Sequence, residues 1–208
     1  MWLKKLGWLL CLSMFSLGAI ADENPYKILQ EVATKTFSRI KAEQATIQQD
    51  PDLLKVVVEE ELLPYIDYKF AGAKVLGKHF KSVPREQIPT FFEEFRKYLI
   101  ATYAVALAQY EGQDVVFEPE KDFDGKKAVT VRAIVKDTER PDIKIAFKVR
   151  KNSKTKEWKA YDMVAEGISV LSSKRSEFES ILRQEGIEKV IAIMQEKNAQ
   201  KITLDNDA

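Results

Sequence analysis

Histidine and cysteine are almost absent from this sequence, which has one of each, His79 and Cys11, among 208 residues. Metal sites usually need several His, Cys or carboxylate ligands that converge, so the lone His79 is interpreted as a solvated or packing residue. Ser169 has no histidine base in its strand context, which argues against a nucleophile. The sequence also has no phosphate-binding loop, dinucleotide fingerprint, G-x-S-x-G or C-x-x-C motif. We therefore predict no catalytic residue, no metal and no cofactor.

A surplus of charge of one sign is missing as well. Lys and Arg number 33, Asp and Glu number 32, and the two signs are interspersed through most of the chain. A protein that neutralises several phosphates needs an uncompensated basic surface. Nucleic acid is therefore excluded as a partner.

The N-terminus carries a long apolar run. Lys4 and Lys5 precede the run from Leu6 to about Leu17, and Ala19-Ile20-Ala21 follows it as an A-x-A cleavage site. The run is too short to span a bilayer comfortably, so we expect residues 1–21 to be a cleaved signal peptide. An uncleaved membrane anchor is the alternative.

Cleavage after residue 21 removes Lys4, Lys5 and Cys11 but no acidic residue, so the mature chain has 31 basic and 32 acidic residues. No cysteine remains for a disulfide or for thiol chemistry. Leu10 stands before Cys11 where a lipoprotein signal would have a small residue, so a lipid anchor is not expected. Residues 22–208 are enough for a single domain with one substantial core.

Helical periodicity dominates the first half of the mature chain. Asn24-Pro25 and Asp50-Pro51 are both typical of a helix start, with a capping side chain followed by proline. Pro89 should break or kink the longest helix. The expected helices are 25–47, 51 to Pro64, 67–76 closing at Gly77, 84–111 with the break or kink, 173–184 capped by Gly186, and 187–198.

The periodicity changes from 3.6 to 2 between residues 113 and 165. Apolar and polar side chains alternate there in four segments, about 115–119, 129–136, 143–150 and 158–165. Gly, Pro, Asn and Asp lie between the segments, so short connections and antiparallel pairing are expected. The predicted fold class is α+β, with a four-stranded antiparallel sheet packed against about six or seven helices.

One junction joins the sheet to a covering helix. Tyr161 and Met163 are bulky residues of the last strand, Gly167 allows a sharp change of direction, and Ser172 or Ser173 is the expected N-cap. The space between the sheet and the aromatic stripe of the longest helix is either ordinary core or a ligand cavity. Periodicity alone does not distinguish the two.

Carboxylates are the remaining candidates for chemistry. The runs Glu59-Glu60-Glu61 and Glu93-Glu94 are interpreted as solvated helix faces, because adjacent helical residues point about 100° apart. Asp162 lies between Tyr161 and Met163 and could act as a base in a sheet-lined cavity. The favoured alternative is that Asp162 pairs with a nearby Lys or Arg, or accepts backbone hydrogen bonds.

Several short segments, taken together in their order and spacing, are specific for one protein family. They are 24–27 (NPYK), 61–65 (ELLPY), 71–73 (AGA) with 75–77 (VLG), 110–113 (YEGQ), 150–153 (RKNS), Trp158, 160–163 (AYDM) and 165–167 (AEG). With them the mature chain resembles, over essentially its whole length, the MlaC family of periplasmic phospholipid carriers, also described as toluene-tolerance proteins. The chain departs from the family pattern at His79-Phe80 and at Pro89, neither of which lies on the expected binding face.

This resemblance implies a twisted antiparallel sheet related to the nuclear-transport-factor-2-like group, with phospholipid acyl chains held in an apolar pocket between sheet and helices. It implies a periplasmic monomer, without catalytic activity, that exchanges phospholipid between an outer-membrane lipoprotein-porin complex and an inner-membrane ABC-type lipid transporter. The alternatives are a cavity enzyme with Asp162 as general base and an adaptor whose apolar stripes are ordinary core.

The residues expected to contact the lipid lie on the apolar faces of these elements. They are Phe95, Leu99 and Tyr103 on the long helix, Val131, Ala133, Val135, Ile145, Phe147 and Val149 on the sheet, and Tyr161, Met163, Ile168 and Val170 at the floor or rim. The sequence leaves open which face of strand 158–165 lines the pocket.

Overall fold

A computed structural model gives the structure of the protein and describes residues 23–137 and 140–204. Segment 1–21, which we expect to be a signal peptide, lies outside the described residues. Within the described part of the chain, no helix has both the length and the apolarity needed to cross a bilayer.

The described residues form seven α-helices and five strands. The α-helices are α1 (Pro25–Ala42), α2 (Gln44–Gln49), α3 (Leu53–Val57), α4 (Tyr68–Leu76), α5 (Gln87–Ala108), α6 (Val170–Gln184) and α7 (Gly186–Ala199). A π-helix (Val58–Leu62) and two 3-10 segments (Leu63–Tyr65 and Gly77–Ser82) connect some of them. The strands are β1 (Asp114–Phe117), β2 (Ala128–Lys136), β3 (Ile143–Lys151), β4 (Trp158–Ala165) and β5 (Ile168–Ser169).

The first helix begins as its sequence predicts and ends earlier. The side-chain oxygen of Asn24 accepts a hydrogen bond of 2.9 Å from the N–H of Tyr26, which caps α1. The single helix expected for 25–47 is wrong, because Glu43 leaves helical geometry with φ −99° and ψ 10°. The chain turns there, and Ile47 of α2 is buried in the core.

The helix expected to run up to Pro64 changes its pitch before it ends. After α3 the chain forms the π-helix, and Pro64 lies in the 3-10 segment that follows. Within the π-helix the side chain of Glu61 is only 9% exposed and pairs with Lys35 at 2.8 Å and Arg39 at 3.0 Å. The prediction of a solvated face is therefore wrong for Glu61, because two cations make its burial acceptable. It is also wrong for Glu94, which is buried on α5.

Helices α4 and α5 begin and end at recognisable residues. Asp67 caps α4 by accepting a hydrogen bond of 3.1 Å from the N–H of Phe70, and Gly77, with φ +53°, ends it as predicted. Helix α5 is continuous from Gln87 through Pro89, so of the two expected alternatives the break at Pro89 is wrong. Because Pro89 is the third residue of α5, its missing N–H is one that has no partner within the helix in any case.

The strands form one antiparallel sheet in the order β1-β2-β3-β4-β5. This confirms the α+β class, and β5 is an addition to the four predicted strands. It forms a tight hairpin with β4, in which Ala165 lies opposite Ile168. The two residues between them, Glu166 and Gly167, both have positive φ, as a type I′ turn requires.

This hairpin moves the start of α6. The Oγ of Ser169 accepts a hydrogen bond of 3.0 Å from the N–H of Ser172, so Ser169 is the N-cap and the choice of Ser172 or Ser173 is wrong. The cause is the short strand β5, which places Ser169 beside β4 immediately before the helix. Gly186, expected to cap α6, is instead the first residue of α7.

The core consists of three clusters. The first joins α4, α5, α6 and α7 around the fully buried Phe91 and Phe178. The second joins α1, α2 and α3 to α5 around Val57, and the third lies between α1 and the sheet, where Tyr26 packs with Val131. Helices α4 and α6 pack closely on β4, but α5 does not. A small cleft lies between α5 and β4.

Candidate ligand-binding cleft

The cleft between α5 and β4 is also bordered by α4 and α6, and we call it the α5–β4 cleft. Its volume is about 20 Å³, which is room for about one water molecule. Most of its walls are apolar. The residues that line it are Ala71, Val75, Phe95, Tyr98, Leu99, Thr102, Tyr103, Tyr161, Asp162, Met163, Val170, Leu171 and Lys174.

Helix α5 supplies one wall. The predicted residues Phe95, Leu99 and Tyr103 all line the cleft, together with Tyr98 and Thr102, which were not among the predicted residues. These five positions follow the spacing i, i+3, i+4, i+7 and i+8, so they share one helix face. The same periodicity could have found Tyr98 and Thr102.

A β-bulge in β4 decides which strand residues face the cleft. Lys148 of β3 pairs with Asp162, but the next residue, Val149, pairs with Ala160, so Tyr161 is the extra residue on the bulged strand. As a result, strict alternation fails, and Tyr161, Asp162 and Met163 all line the cleft. Residues from both faces of β4 therefore line this cleft.

The sheet residues expected to contact lipid lie elsewhere. Val131, Phe147 and Val149 pack with α1 in the third core cluster. Ala133 is buried, Val135 and Ile145 are half-buried, and none of these three lines the α5–β4 cleft. Ile168 lies in the β4–β5 hairpin with 66% of its surface exposed, whereas Val170 does line the cleft.

Asp162 is the most buried charged group of the cleft, with a side chain only 2% exposed. Its Oδ2 accepts hydrogen bonds from Lys148 Nζ at 2.9 Å and from Ser169 Oγ at 2.8 Å. Its Oδ1 accepts a third, at 3.0 Å, from the N–H of Leu171. The expected pairing with a lysine and a backbone donor is confirmed. A carboxylate already held by three donors is poorly placed to take a proton from a ligand.

Tyr103 lies close enough to Asp162 to feel its charge. Burial, and to a lesser extent the Asp162 carboxylate, raise the pKa of Tyr103 to about 12. The hydroxyl therefore stays protonated at neutral pH. It can donate a hydrogen bond inside the cleft, but it cannot act as a base there.

Lys174 is the one cation among the lining residues. Its Nζ lies 2.7 Å from a carboxylate oxygen of Glu177 and 5.4 Å from the centre of the Tyr98 ring. Burial acts to lower the pKa of Lys174, but hydrogen bonds with Glu177 and Tyr98 outweigh it and raise the pKa above its ordinary value. The ammonium is therefore charged at neutral pH.

Larger openings lie on the surface and are more polar. One, of about 450 Å³, lies between α1 and the start of β4, and four glutamates, Glu23, Glu31, Glu61 and Glu157, stand in its walls. Another, of about 530 Å³, lies between α1, α2 and the end of α5 and has many amide and charged side chains. Their polar walls make them poorer sites for an apolar ligand than the α5–β4 cleft.

Among the described residues, no group of three His, Cys, Asp or Glu side chains is arranged to hold a metal ion. His79 is half-buried in the 3-10 segment after α4. Its Nε2 is buried and has no hydrogen-bond partner in the described part of the chain. It lies outside the α5–β4 cleft.

The arrangement of sheet and helices is shared with a protein of known structure. The solved structure of the phospholipid-binding protein from Ralstonia solanacearum in complex with a phospholipid superposes with a TM-score of 0.75. The match covers 86% of this chain and 98% of that chain, at 21% sequence identity. At this identity the likeness shows that the two proteins share a fold.

The sequence itself identifies the family. The family model described as MlaC protein matches residues 30–196, so the chain belongs to the MlaC family. The intermembrane phospholipid transport system binding protein MlaC of Haemophilus influenzae is 37% identical over 202 residues, which cover 97% of this chain and 94% of that protein. The toluene tolerance protein ttg2D of Pseudomonas putida is 24% identical over 181 residues, covering 86% and 83%. The family resemblance found in the sequence is thereby confirmed.

Proposed function

We propose that this protein is a periplasmic carrier that holds phospholipid acyl chains in the α5–β4 cleft and transfers phospholipid between outer- and inner-membrane complexes. The observation that carries the proposal is the cleft itself, whose walls are mostly apolar and which lies between helices and sheet. The MlaC relative from Haemophilus influenzae, named as a binding protein of an intermembrane phospholipid transport system, supports it.

A carrier of this kind solves a definite physical problem. Each methylene removed from water contributes about 0.8 kcal/mol, so two acyl chains with roughly thirty methylenes resist transfer through water by about 24 kcal/mol. Free diffusion between two membranes is therefore negligible. A bilayer buries the acyl chains as well, so the cleft needs only to provide nearly the same free energy of burial. Small differences in phospholipid affinity between the carrier and each partner can then set the direction of transfer.

The cleft has to widen before it can hold an acyl chain. Its volume of about 20 Å³ is far below the roughly 300–1,000 Å³ of typical ligand pockets. Helices α4 and α6 pack closely on β4, and α6 is also tied to it by the hydrogen bond between Asp162 and Leu171. Helix α5 has no such tie to β4, so we infer that the cleft opens by separation of α5 from β4.

The same geometry disfavours the enzyme alternative. A general base needs an oxygen that is free to take a proton, and the carboxylate of Asp162 is held by Lys148, Ser169 and Leu171. The phenol of Tyr103, which also lines the cleft, stays protonated. We therefore propose binding without catalysis.

The partners follow from the proposed role. A monomer that exchanges phospholipid at an outer-membrane lipoprotein-porin complex and at an inner-membrane ABC-type lipid transporter would shuttle between the two membranes. The N-terminal segment 1–21, as a cleaved signal peptide, would deliver it to the periplasm.

Mass spectrometry of the purified protein tests the proposal. The chain without residues 1–21 is purified, denatured, and the released material analysed for phospholipid; the refolded protein is then mixed with vesicles that contain labelled phospholipid and re-isolated. We expect about one phospholipid per protein or fewer after purification, and uptake from the vesicles. Failure to find phospholipid in both steps would overturn the carrier proposal.

A further inference from the structure

The two charged groups of the α5–β4 cleft both lie near the start of α6. They are Asp162 and Lys174, and Asp162 is bonded to the N–H of Leu171. Lys174 follows Leu171 by three residues, so both lie on the same face of α6. Residues of α4 and the first half of α5, such as Val75 and Phe95, are apolar. The charges of the cleft thus lie on the side of α6, which we call its polar end, whereas α4 contributes only the apolar Ala71 and Val75.

The two charged residues differ in what they can offer a ligand. Asp162 is fully engaged, because Lys148, Ser169 and Leu171 all donate to it. Lys174 has one carboxylate partner among the described residues, Glu177, whose side chain is 44% exposed. An ion pair between residues three apart on one helix is weak when one partner, here Glu177, is largely exposed, and it is readily exchanged.

The surroundings of Lys174 favour the binding of an anion that carries more charge than the Glu177 carboxylate or that lies closer to the ammonium. The ammonium lies 5.4 Å from the centre of the Tyr98 ring and is partly shielded from water. Charge-assisted hydrogen bonds are stronger when the donor is withdrawn from solvent. A phosphate group brought to the polar end by its own acyl chains would arrive at high effective concentration and displace the Glu177 carboxylate.

We propose that Lys174 binds the phosphate of a bound phospholipid and so fixes its orientation, with the headgroup at the start of α6 and the acyl chains directed toward α4 and the first half of α5. This rests on the proposed carrier function. It adds that the cleft distinguishes a phosphate-bearing lipid from a neutral diacylglycerol with the same chains. Lys174 is then a specificity-determining residue, while the apolar walls supply most of the affinity.

The test compares two lipids that differ only in the phosphate headgroup. The chain without residues 1–21, as wild type or as Lys174→Gln, is incubated with dioleoyl phosphatidylglycerol or with dioleoylglycerol, each dispersed in a phosphate-free non-ionic detergent, and bound lipid is counted by mass spectrometry. We expect Lys174→Gln to lower phosphatidylglycerol retention about fivefold and to change dioleoylglycerol retention by less than about twofold. Lys174→Arg should retain phosphatidylglycerol. Lys189→Gln is the matched control, since it removes an exposed α7 ion pair with Glu185 at 4.0 Å.

The other outcomes of this experiment would contradict the proposed role of Lys174. Equal loss of both lipids in Lys174→Gln, with Lys174→Arg equally impaired, would assign a packing role and overturn the proposal. Unchanged retention of phosphatidylglycerol would overturn it as well. A site for free phosphate is the third possibility, and it would show as inorganic phosphate shifting the amide resonances of α6 in wild type but not in Lys174→Gln, with lipid retention equal in both. If wild type retained neither lipid, the carrier function itself would fail, which is distinguishable from a loss confined to the variant.

Discussion

The carboxylate of Asp162 on β4 accepts a hydrogen bond of 3.0 Å from the backbone N–H of Leu171, the second residue of α6. The N–H groups of a first helical turn lack partners within the helix, and they favour negative charge beside them. Asp162 therefore stabilises the start of α6 while its other oxygen binds Lys148 and Ser169. One buried side chain joins two strands, a hairpin and a helix.

Removing the charge of Asp162 should destabilise the fold. Asp162→Asn keeps the side-chain shape but ends the ion pair with Lys148 and introduces a buried N–H₂ that faces donors. We expect a loss of about 2–4 kcal/mol in the free energy of unfolding, measured by urea denaturation. Asp142→Asn is the control, because it removes an exposed partner of Lys136 and should cost less than about 1 kcal/mol. Equal effects of the two changes on the free energy of unfolding would show that Asp162 does not stabilise the contact between the sheet and α6.

Filling the α5–β4 cleft should block the ligand. Met163 lines the cleft and is half-buried, so Met163→Trp places a larger ring between α5 and β4. We expect phospholipid retention from vesicles to fall by about tenfold or more, which corresponds to about 1.4 kcal/mol of binding free energy. Ile168→Trp, in the exposed hairpin, should retain lipid as wild type does. The idea fails if both variants retain lipid equally while their circular dichroism spectra remain native.

Shortening a residue of the sheet should separate packing from ligand binding. Val131 is fully buried against α1, so Val131→Ala should lower the free energy of unfolding by about 1–2 kcal/mol and leave phospholipid retention unchanged. Leu99→Ala, in the cleft wall, should lower both. Retention that falls in Val131→Ala as much as in Leu99→Ala would mean that acyl chains reach the sheet face under α1.

Acid should act on the fold through Glu61. The hydrogen bond from Lys35, helped by Arg39, holds the pKa of Glu61 below its ordinary value of 4.5. The ionised form is therefore favoured in the folded state, so its contribution to stability is present above pH 4.5 and is lost as the pH falls through the lower folded-state pKa.

Glu61→Gln provides the comparison. The free energy of unfolding of wild type should exceed that of Glu61→Gln at pH 6, and the difference should shrink as the pH is lowered below 4.5. Urea denaturation at a series of pH values measures it. A difference that stays constant from pH 6 to pH 3 would show that Glu61 does not titrate differently in the folded and unfolded chains.

Local chemistry predicted the helices whose ends depend on their own residues. Asp67 and Gly77 bound α4 as expected, since a capping carboxylate and a glycine with positive φ act within one turn. The start of α6 could not be predicted in this way. Ser169, Ser172 and Ser173 are equally able to cap a helix, and only the pairing of β5 with β4 selects Ser169.

The candidate site likewise has residues that the sequence predicts and residues that it does not. Three residues of the α5 wall were predictable, because Phe95, Leu99 and Tyr103 lie on one helical stripe. On β4 the bulge at Tyr161 depends on how β3 pairs with β4, which period-2 alternation does not encode. The placement of Val131 under α1 likewise depends on which helix covers the sheet, and this is a contact between segments about a hundred residues apart.

The strands at the two ends of the sheet are both very short, with four residues in β1 and two in β5. A free edge exposes unpaired backbone groups on which another chain can form β-structure, and this is a common start of aggregation. A protein that has to loosen its interior each time it takes up or releases a ligand is most vulnerable to this at the moment of opening. The two terminal strands themselves offer only four and two residues of backbone to a neighbouring molecule, which limits edge-to-edge pairing at these strands if the cleft opens.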